Sequence, residues 1–582
     1  MSHDDPTRFS VWAPGHDRVR LRIHGQDHTM APAGGGWWYR EVSGAPHGTD
    51  YAFLLGDDPT PLPDPRSRWQ PHGVHGPSRR YDHGAFGWTD SGWTGRALPG
   101  SVLYELHIGT FTPEGTFDAA IGRLDHLADL GADLVEVMPV NAFDGTHGWG
   151  YDGVLWGAVH EPYGGPEGFK RFVDACHARG LGVLLDVVYN HLGPSGAYLP
   201  RFGPYFSGGN AWGPSLNLDG PGSDEVRGYV IDNAVGWLRD YHLDGLRLDA
   251  VHALRDSRAV HLLTELSAEV DALAAGLRRP LALIAETDRN DPLTVTAREA
   301  GGQGMTAQWS DDLHHALHAA LTGESQGYYA DFAGSDALPR TLRQVFLHDG
   351  GHSSFRGRAH GAPVERRRIS GSRFLGYLQN HDQVGNRVWG DRLSATVTPD
   401  AQVCGAALIL CSPYTPMLFM GEEWAASTPW PFFASFCDPA LAEGVRQGRR
   451  REFAAHGWGE EAAPDPVDPA TRDGSVLLWA ERERSPHRET LDLYRALIHL
   501  RRSRPELADP RLDRFPVEAA DDGRVLVLHR GVLRVVCNLR PDPATAVLDR
   551  RADTVLLASK GATVDGAVVD LSAESFAVVH TA

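Results

Sequence analysis

Four stretches of this chain share one form, an apolar run that ends in ionisable or amide side chains. They are Val183-Leu184-Leu185-Asp186-Val187-Val188-Tyr189-Asn190-His191, Gly245-Leu246-Arg247-Leu248-Asp249-Ala250, Leu281-Ala282-Leu283-Ile284-Ala285-Glu286 and Phe374-Leu375-Gly376-Tyr377-Leu378-Gln379-Asn380-His381-Asp382. Short apolar runs bounded by turn residues read as strands buried on both faces. Repeated βα units whose strands end in reactive residues are the pattern of a (β/α)8 barrel, which carries its active site at the C-terminal strand ends. The second stretch organises the others. Leu243, Leu246, Leu248 and Val251 mark it as core, and Asp244-Gly245 predicts a turn just before it. Arg247 and Asp249 are two apart and share one side of a strand. A charged pair on an apolar strand is costly unless it has a task. Alone, that stretch does not choose between a structural ion pair and a catalytic one. Four such strand ends in order favour catalysis.

The 582 residues suffice for two to four domains, and an apolar fraction of 42% allows large cores. The formal charge of −20 argues against nonspecific binding of nucleic acid or anionic membranes. No run reaches the roughly 18 apolar residues of a membrane-spanning helix, and residues 1–6 hold no signal-peptide pattern. Five scattered cysteines, Cys176, Cys404, Cys411, Cys437 and Cys537, form no CxxC pair. That predicts reduced thiols, a cytoplasmic location, and neither a disulfide framework nor a zinc site. No metal ligand set and no cofactor motif stands out, HExxH included.

Along the chain, residues 1–90 read as a small β-sandwich, carbohydrate-binding-module-like, followed by an ordered connector rich in proline and arginine. The aromatics there read as core; a carbohydrate-binding surface is the lesser alternative. Residues 91–505 read as the (β/α)8 barrel. Its first two strands are predicted at 102–108 and 134–140, its sixth at 305–309, and its eighth at 417–420, ending in Gly421-Glu422-Glu423. An amphipathic helix is predicted from Phe117 to Leu130, stopped by Gly131. A loop subdomain at about 192–225 is long enough to imply function. Residues 506–582 read as an antiparallel β domain.

Asp249, Glu286 and Asp382 are the carboxylates at strand ends. Cleaving a glycosidic bond needs two, one to protonate the leaving oxygen and one to attack or activate water. A third stabilises positive charge developing on the sugar. Arg247 favours an ionised Asp249, and the apolar residues before Glu286 favour a raised pKa suited to a general acid. His191 and His381 are the right chemistry for sugar hydroxyls. Each has a plain alternative: Asp186 as a structural residue inside the barrel, His191 as a strand cap, Asn380-His381-Asp382 as the start of a helix.

These four stretches, joined by Trp149-Gly150-Tyr151-Asp152-Gly153, resemble the signature regions of the α-amylase family, glycoside hydrolase family 13. The resemblance implies Asp249 as nucleophile, Glu286 as general acid/base and Asp382 as transition-state stabiliser. It implies Tyr151 stacked beneath the cleaved sugar, with His191, Arg247 and His381 holding it. A narrower resemblance starts from Pro63-Asp64-Pro65-Arg66-Ser67-Arg68-Trp69-Gln70-Pro71-His72-Gly73-Val74-His75-Gly76-Pro77-Ser78, which looks like the connector shared by malto-oligosyltrehalose trehalohydrolases and some glucan branching enzymes. Glu286-Thr287-Asp288-Arg289-Asn290-Asp291-Pro292, Asp311-Asp312-Leu313-His314-His315 and Gly448-Arg449-Arg450-Arg451-Glu452-Phe453 look more like the trehalohydrolases, which release trehalose from the end of a malto-oligosaccharide. That family implies a malto-oligosyltrehalose substrate and functional coupling to the enzyme that forms it. The sequence departs from the pattern at Thr287 (usually serine), Arg289 (usually leucine) and His252 (usually acidic). His252 and Arg289 lie three residues past Asp249 and Glu286 and are therefore candidates for the leaving-group side. A glucan branching transferase, sharing the same nucleophile, is the alternative reaction; a barrel without activity is the alternative outside enzymology.

Overall fold

The structure, a computed structural model, describes residues 8–582 except 211, 456–462 and 521, and not the side chains of 452–455. Residues 1–6 and the Glu452 and Phe453 side chains, which figured in the sequence reading, lie outside the described residues. At the centre is a closed parallel barrel. Its strands are β1 (Leu103–Leu106), β2 (Leu134–Val137), β3 (Gly182–Val187), β4 (Gly245–Leu248), β5 (Ala282–Ala285), β6 (Ala307–Trp309), β7 (Phe374–Gly376) and β8 (Thr415–Phe419). They follow one another around the barrel in chain order, and β8 closes onto β1. All of these strands are buried on both faces. That burial is why they read as continuous apolar runs rather than alternating ones. Each fully buried leucine or valine contributes about 1.5–3 kcal/mol.

Register places the chemistry. Asp186 of β3 lies opposite Arg247 of β4, and Glu105 of β1 opposite Glu136 of β2. Gly245 is where β4 comes closest to its neighbours: a Cβ there would sit 2.4 Å from the Ala282 carbonyl oxygen and 2.7 Å from Leu184. The Asp244-Gly245 step is not the simple turn its composition predicts. Asp244 is fully buried, and its backbone bonds to β3 and β5, Asp244 N to Val183 O at 2.8 Å and Ala282 N to Asp244 O at 2.9 Å. Its carboxylate accepts from Trp93 Nε1 at 2.9 Å, Val183 N at 2.9 Å and Arg279 at 3.3 Å, so the residue pins the base of β4.

Two other expectations change. The single helix predicted over 117–130 is two, Phe117–Ile121 and Leu124–Leu130, broken at Gly122. Glycine is a poor helix former; the apolar face survives because Phe117, Ala120, Leu124, Leu127 and Leu130 all remain buried. Gly131 does end the second piece, in the left-handed conformation at φ 95°. The seventh strand stops at Gly376, well before Asp382. Asn380 accepts from the backbone N–H groups of Asp382 at 2.9 Å and Gln383 at 3.1 Å, capping a short helix, His381–Gly385.

Antiparallel sheets flank the barrel. Before it, Arg8–Trp12, Trp37–Glu41 and Ala31–Gly34 form one sheet; Gln26–Thr29, Val19–Ile23, Asp50–Leu55 and Ser78–Arg79 form another. The connector therefore supplies an edge strand of its own. After the barrel come a five-stranded and a three-stranded sheet. Helix Pro399–Leu410 joins them to the barrel: Cys404 Sγ lies 3.3 Å from the Ser575 carbonyl oxygen and 3.5 Å from that of Asn538. Among the described residues, no helix is long and apolar enough to cross a membrane.

Candidate active site

Arg247 is the hub of the strand-end cluster. Its guanidinium is sealed from solvent, at 0% exposure. Nη1 donates to both oxygens of Asp186, at 2.9 and 2.7 Å, and to Asp249 Oδ1 at 2.8 Å. Nη2 lies 3.9 Å from Glu286 Oε2, and the guanidinium carbon stands 4.2 Å from the centre of the Trp309 ring. Burial disfavours the charged form, but the surrounding carboxyl groups, Asp186 foremost, outweigh it and hold the guanidinium protonated. A buried cation survives only with such company.

Just past β4 the backbone turns sharply. Ala250 takes φ 41°, a left-handed conformation uncommon outside glycine. The turn aims its N–H at Glu286, whose Oε2 accepts at 2.5 Å. Asp249 Oδ2 accepts from Asn190 Nδ2 at 2.6 Å. Asp249 is thus held by one donor from β4 and another from the segment after β3. Burial pushes the Glu286 carboxyl well up; Arg247 opposes this, and the Asp249 and Asp382 charges reinforce it. The same cause, burial, raises Asp186 to about 6, against the pull of Arg247.

A second arm of the cluster comes from the far side of the barrel. The Tyr151 hydroxyl donates to Asp186 Oδ2 at 2.6 Å and lies 2.8 Å from His381 Nε2. The two rings stack at 5.2 Å. Gly150 makes this possible: at φ 100°, a Cβ would lie 2.1 Å from the Pro139 carbonyl oxygen. His381 Nδ1 donates to Glu105 Oε1 at 2.5 Å, and its backbone N–H donates to Glu105 Oε2 at 3.1 Å. Burial lowers the imidazole pKa, but Asp382 and Glu105 overcome that and raise it to about 9. Asp382 Oδ1 is 3.4 Å from His381 Nε2.

The structure therefore brings Tyr151, Arg247, Asp249, Glu286, His381 and Asp382 into one contact network. His191 joins through Asn190, its Nδ1 lying 2.5 Å from Asn190 Oδ1. His252 and Arg289 stand at the edge: Arg289 donates to the His252 carbonyl oxygen at 2.7 Å, and the His252 ring nitrogen is 4.0 Å from Asp288. The exposed ring of Trp212 bridges the two histidines, 6.4 Å from His191 and 5.8 Å from His252. In this structure Arg247 and His381 grip carboxylates, not an open surface. Glu105, Glu136, Trp309 and Trp212 were not singled out from sequence. For Glu105 and Glu136 a signal existed: each is one ionisable residue inside an apolar strand, as Arg247 is.

Comparison with known proteins decides which family this geometry serves. Residues 81–201 match the alpha amylase catalytic domain. A malto-oligosyltrehalose trehalohydrolase from Rhizobium sp. (strain M-11) is 53% identical, over 98% of this chain and 97% of that protein. The chain belongs to the malto-oligosyltrehalose trehalohydrolase family. A crystal structure from Salmonella typhimurium, assigned provisionally to the alpha amylases, covers 100% of this chain and 99% of its own, with a TM-score of 0.91 and 38% identity. The similarity to a 1,4-alpha-glucan branching enzyme of Vibrio parahaemolyticus is narrower: 32% identity over 42% of this chain and 36% of that enzyme. Of the three departures, Arg289 and His252 fall at the edge of the cluster, while Thr287 is buried directly after Glu286.

Proposed function

We infer that this chain hydrolyses the α-1,4-glucosidic bond next to the terminal trehalose of a malto-oligosyltrehalose, with retention of configuration, and releases trehalose. The observation that carries the reading is the joint hold of Arg247 on Asp249 and Glu286. It sets the Asp249 carboxyl, in direct contact with a guanidinium, beside the buried Glu286 carboxyl of raised pKa, a nucleophile and an acid side by side as a retaining glycosidase needs. Asp249 attacks the anomeric carbon while Glu286 protonates the leaving oxygen; trehalose departs and a glycosyl ester remains on Asp249. Glu286 then takes a proton from water, which displaces Asp249. Asp382 lies against the sugar carrying the developing positive charge. Tyr151 packs beneath that sugar, and His191 bonds its hydroxyls. Arg247 and His381 act one step back, by fixing Asp249, Glu286 and Asp382. His252 and Arg289 stand on the leaving-group side.

The narrow reach of the branching-enzyme similarity favours hydrolysis over transfer. The same reading places the enzyme in the cytoplasm, where it consumes the product of a malto-oligosyltrehalose-forming enzyme. The five free cysteines, four of them buried, support a reducing compartment. The test is product identification from maltotriosyltrehalose and from maltopentaose. Trehalose and maltotriose are expected from the first, with the second cut much more slowly. Internal cleavage of the maltodextrin that ignores the trehalose end overturns the reading, and new α-1,6 branches identify a transferase.

A further inference from the structure

A fourth carboxylate stands just past a barrel strand and has no part in the chemistry described above. Asp311 follows β6 and opens helix Asp311–Thr322. β6 pairs with β5 on one side and with β7 on the other. Asp311 therefore lies between Glu286, which follows β5, and Asp382, which lies beyond β7. Asp249 follows β4, on the opposite flank of β5. Asp311 is thus on the side of the acid that faces away from the nucleophile. Trp309, two residues earlier, fixes this end of β6 against the cluster, 4.2 Å from the Arg247 guanidinium carbon and 5.7 Å from the Tyr377 ring.

The two oxygens of this carboxylate differ. Oδ1 accepts from the Tyr377 hydroxyl at 2.6 Å and from Gln383 Nε2 at 3.4 Å. Tyr377 itself is fully buried. No described residue donates to Oδ2, and that atom is not sealed from solvent. The adjacent Asp312 is the contrast. It is buried, and its Oδ2 accepts from Asn290 Nδ2 at 3.0 Å, Leu347 N at 2.7 Å and His348 N at 3.0 Å. Asp312 holds a loop; Asp311 keeps an acceptor open. Burial pushes the Asp311 carboxyl up to about 6; the Tyr377 bond opposes the rise, and the charges of Asp382, Asp312 and Asp288 add to it. Above that pH the group is ionised and can only accept hydrogen bonds.

We propose that Asp311 is a specificity-determining residue whose open oxygen accepts a hydroxyl hydrogen of the departing trehalose. Glu286 protonates the leaving oxygen, so the departing sugar lies against Glu286 on the flank away from Asp249, where Asp311 stands. Asp288, whose charge reaches Asp311, is 4.0 Å from His252, already placed on the leaving-group side. A carboxylate that bonds a particular hydroxyl discriminates through the loss of that bond, and a charged acceptor makes the bond strong. Tyr377 is a positioning residue here: its buried hydroxyl fixes the turn of the carboxylate and cannot itself reach a sugar. The inference rests on the trehalose-releasing reading and adds to it the group that reads the leaving sugar.

The test compares two substrates of the full-length enzyme that share a glycosyl group. Maltotriosyltrehalose loses trehalose; α-maltotriosyl fluoride loses an ion without hydroxyls. Asp311→Ala should lower kcat/KM on the first about 10- to 100-fold, the loss of a bond to a charged group, and on the second by less than about threefold. Trehalose added as an inhibitor of fluoride hydrolysis should show a Ki raised about tenfold or more in the variant. That readout separates contact with the sugar from an effect on the acidity of Glu286, which would leave the Ki unchanged. Tyr377→Phe should cost about three- to tenfold on maltotriosyltrehalose alone and add nothing in the Asp311→Ala background; it decides the matter if Asp311→Ala does not fold. The proposal fails if folded Asp311→Ala, checked by thermal melting, loses equally on both substrates, keeps the wild-type Ki, or adds its loss to that of Tyr377→Phe. A wild-type enzyme that releases no trehalose defeats the reading beneath it; a normal wild type with unaltered variants defeats the inference alone.

Discussion

Glu423 and Asp249 both stand just past a barrel strand, yet Glu423 is sealed at 0% exposure while Asp249 keeps 15% of its side chain open. Around Glu423, every near neighbour serves to close the site. Its Oε1 accepts from the Tyr104 hydroxyl at 3.0 Å and from His126 Nε2 at 2.7 Å. The adjacent Glu422 accepts from Tyr494 at 3.2 Å, and burial pushes its carboxyl up to about 8. Around Asp249 the arrangement is different. Arg247 and Asn190 hold it from one side, Glu286 is equally open at 15%, and Asp382 is 39% exposed. A carboxylate at a strand end is therefore not enough to mark a catalyst. What separates the two clusters is that one is closed to solvent and the other keeps three carboxylates reachable.

The contrast predicts opposite costs. Asp249→Asn should lower kcat on maltotriosyltrehalose by about 10⁴-fold or more and leave the melting temperature nearly unchanged, since volume and neighbours are kept. Turnover near the wild-type rate, with contamination excluded, would remove Asp249 from the chemistry. Glu423→Ala should do the reverse, costing about 3–5 kcal/mol in denaturant unfolding because His126 and Tyr104 lose their buried partner. A loss under about 1 kcal/mol would erase the distinction between the clusters, since exposed ion pairs cost no more than that.

The hold of Glu105 on His381 gives a pH-dependent effect of intermediate size. The imidazole pKa is raised to about 9 in the folded protein, against about 6.5 when unfolded. A raised base stabilises the fold fully below the unfolded value, and that stability is lost as pH rises through the folded one. The stability gap between wild type and Glu105→Gln should therefore be widest near pH 6 and shrink as pH approaches 9. A gap that does not vary with pH would mean that Glu105 supports packing and not the imidazolium.

How much of this was legible beforehand follows from how each residue is buried. The barrel strands could be read because both of their faces are apolar, and the site because Arg247, Asp249 and Glu286 interrupt or end such runs. Helix Pro399–Leu410 could not be read by periodicity. It is buried nearly all round between the barrel and the C-terminal sheets, so no polar stripe marks it. The end of β7 was legible only as the alternative reading: Asn380-His381-Asp382 reads as the start of a helix, and Asn380 does cap one there. Trp212 reaches the site from the loop after β3, and its partners His191 and His252 are distant in sequence.

The smallest effect is the most specific. His252→Ala should lower kcat/KM for maltosyltrehalose about three- to tenfold more than for a maltodextrin of equal length, the loss of roughly one hydrogen bond. Equal losses on both substrates would assign His252 to general positioning.

The central claim, a retaining cleavage at the trehalose end through Asp249, meets its most direct test in proton NMR of the first seconds of hydrolysis of maltotriosyltrehalose. Two signals are predicted to rise together: free trehalose and the α-anomer of the new reducing end, with the β-anomer following only by mutarotation. A β-anomer that appears first would mean inversion, and would contradict a nucleophilic Asp249.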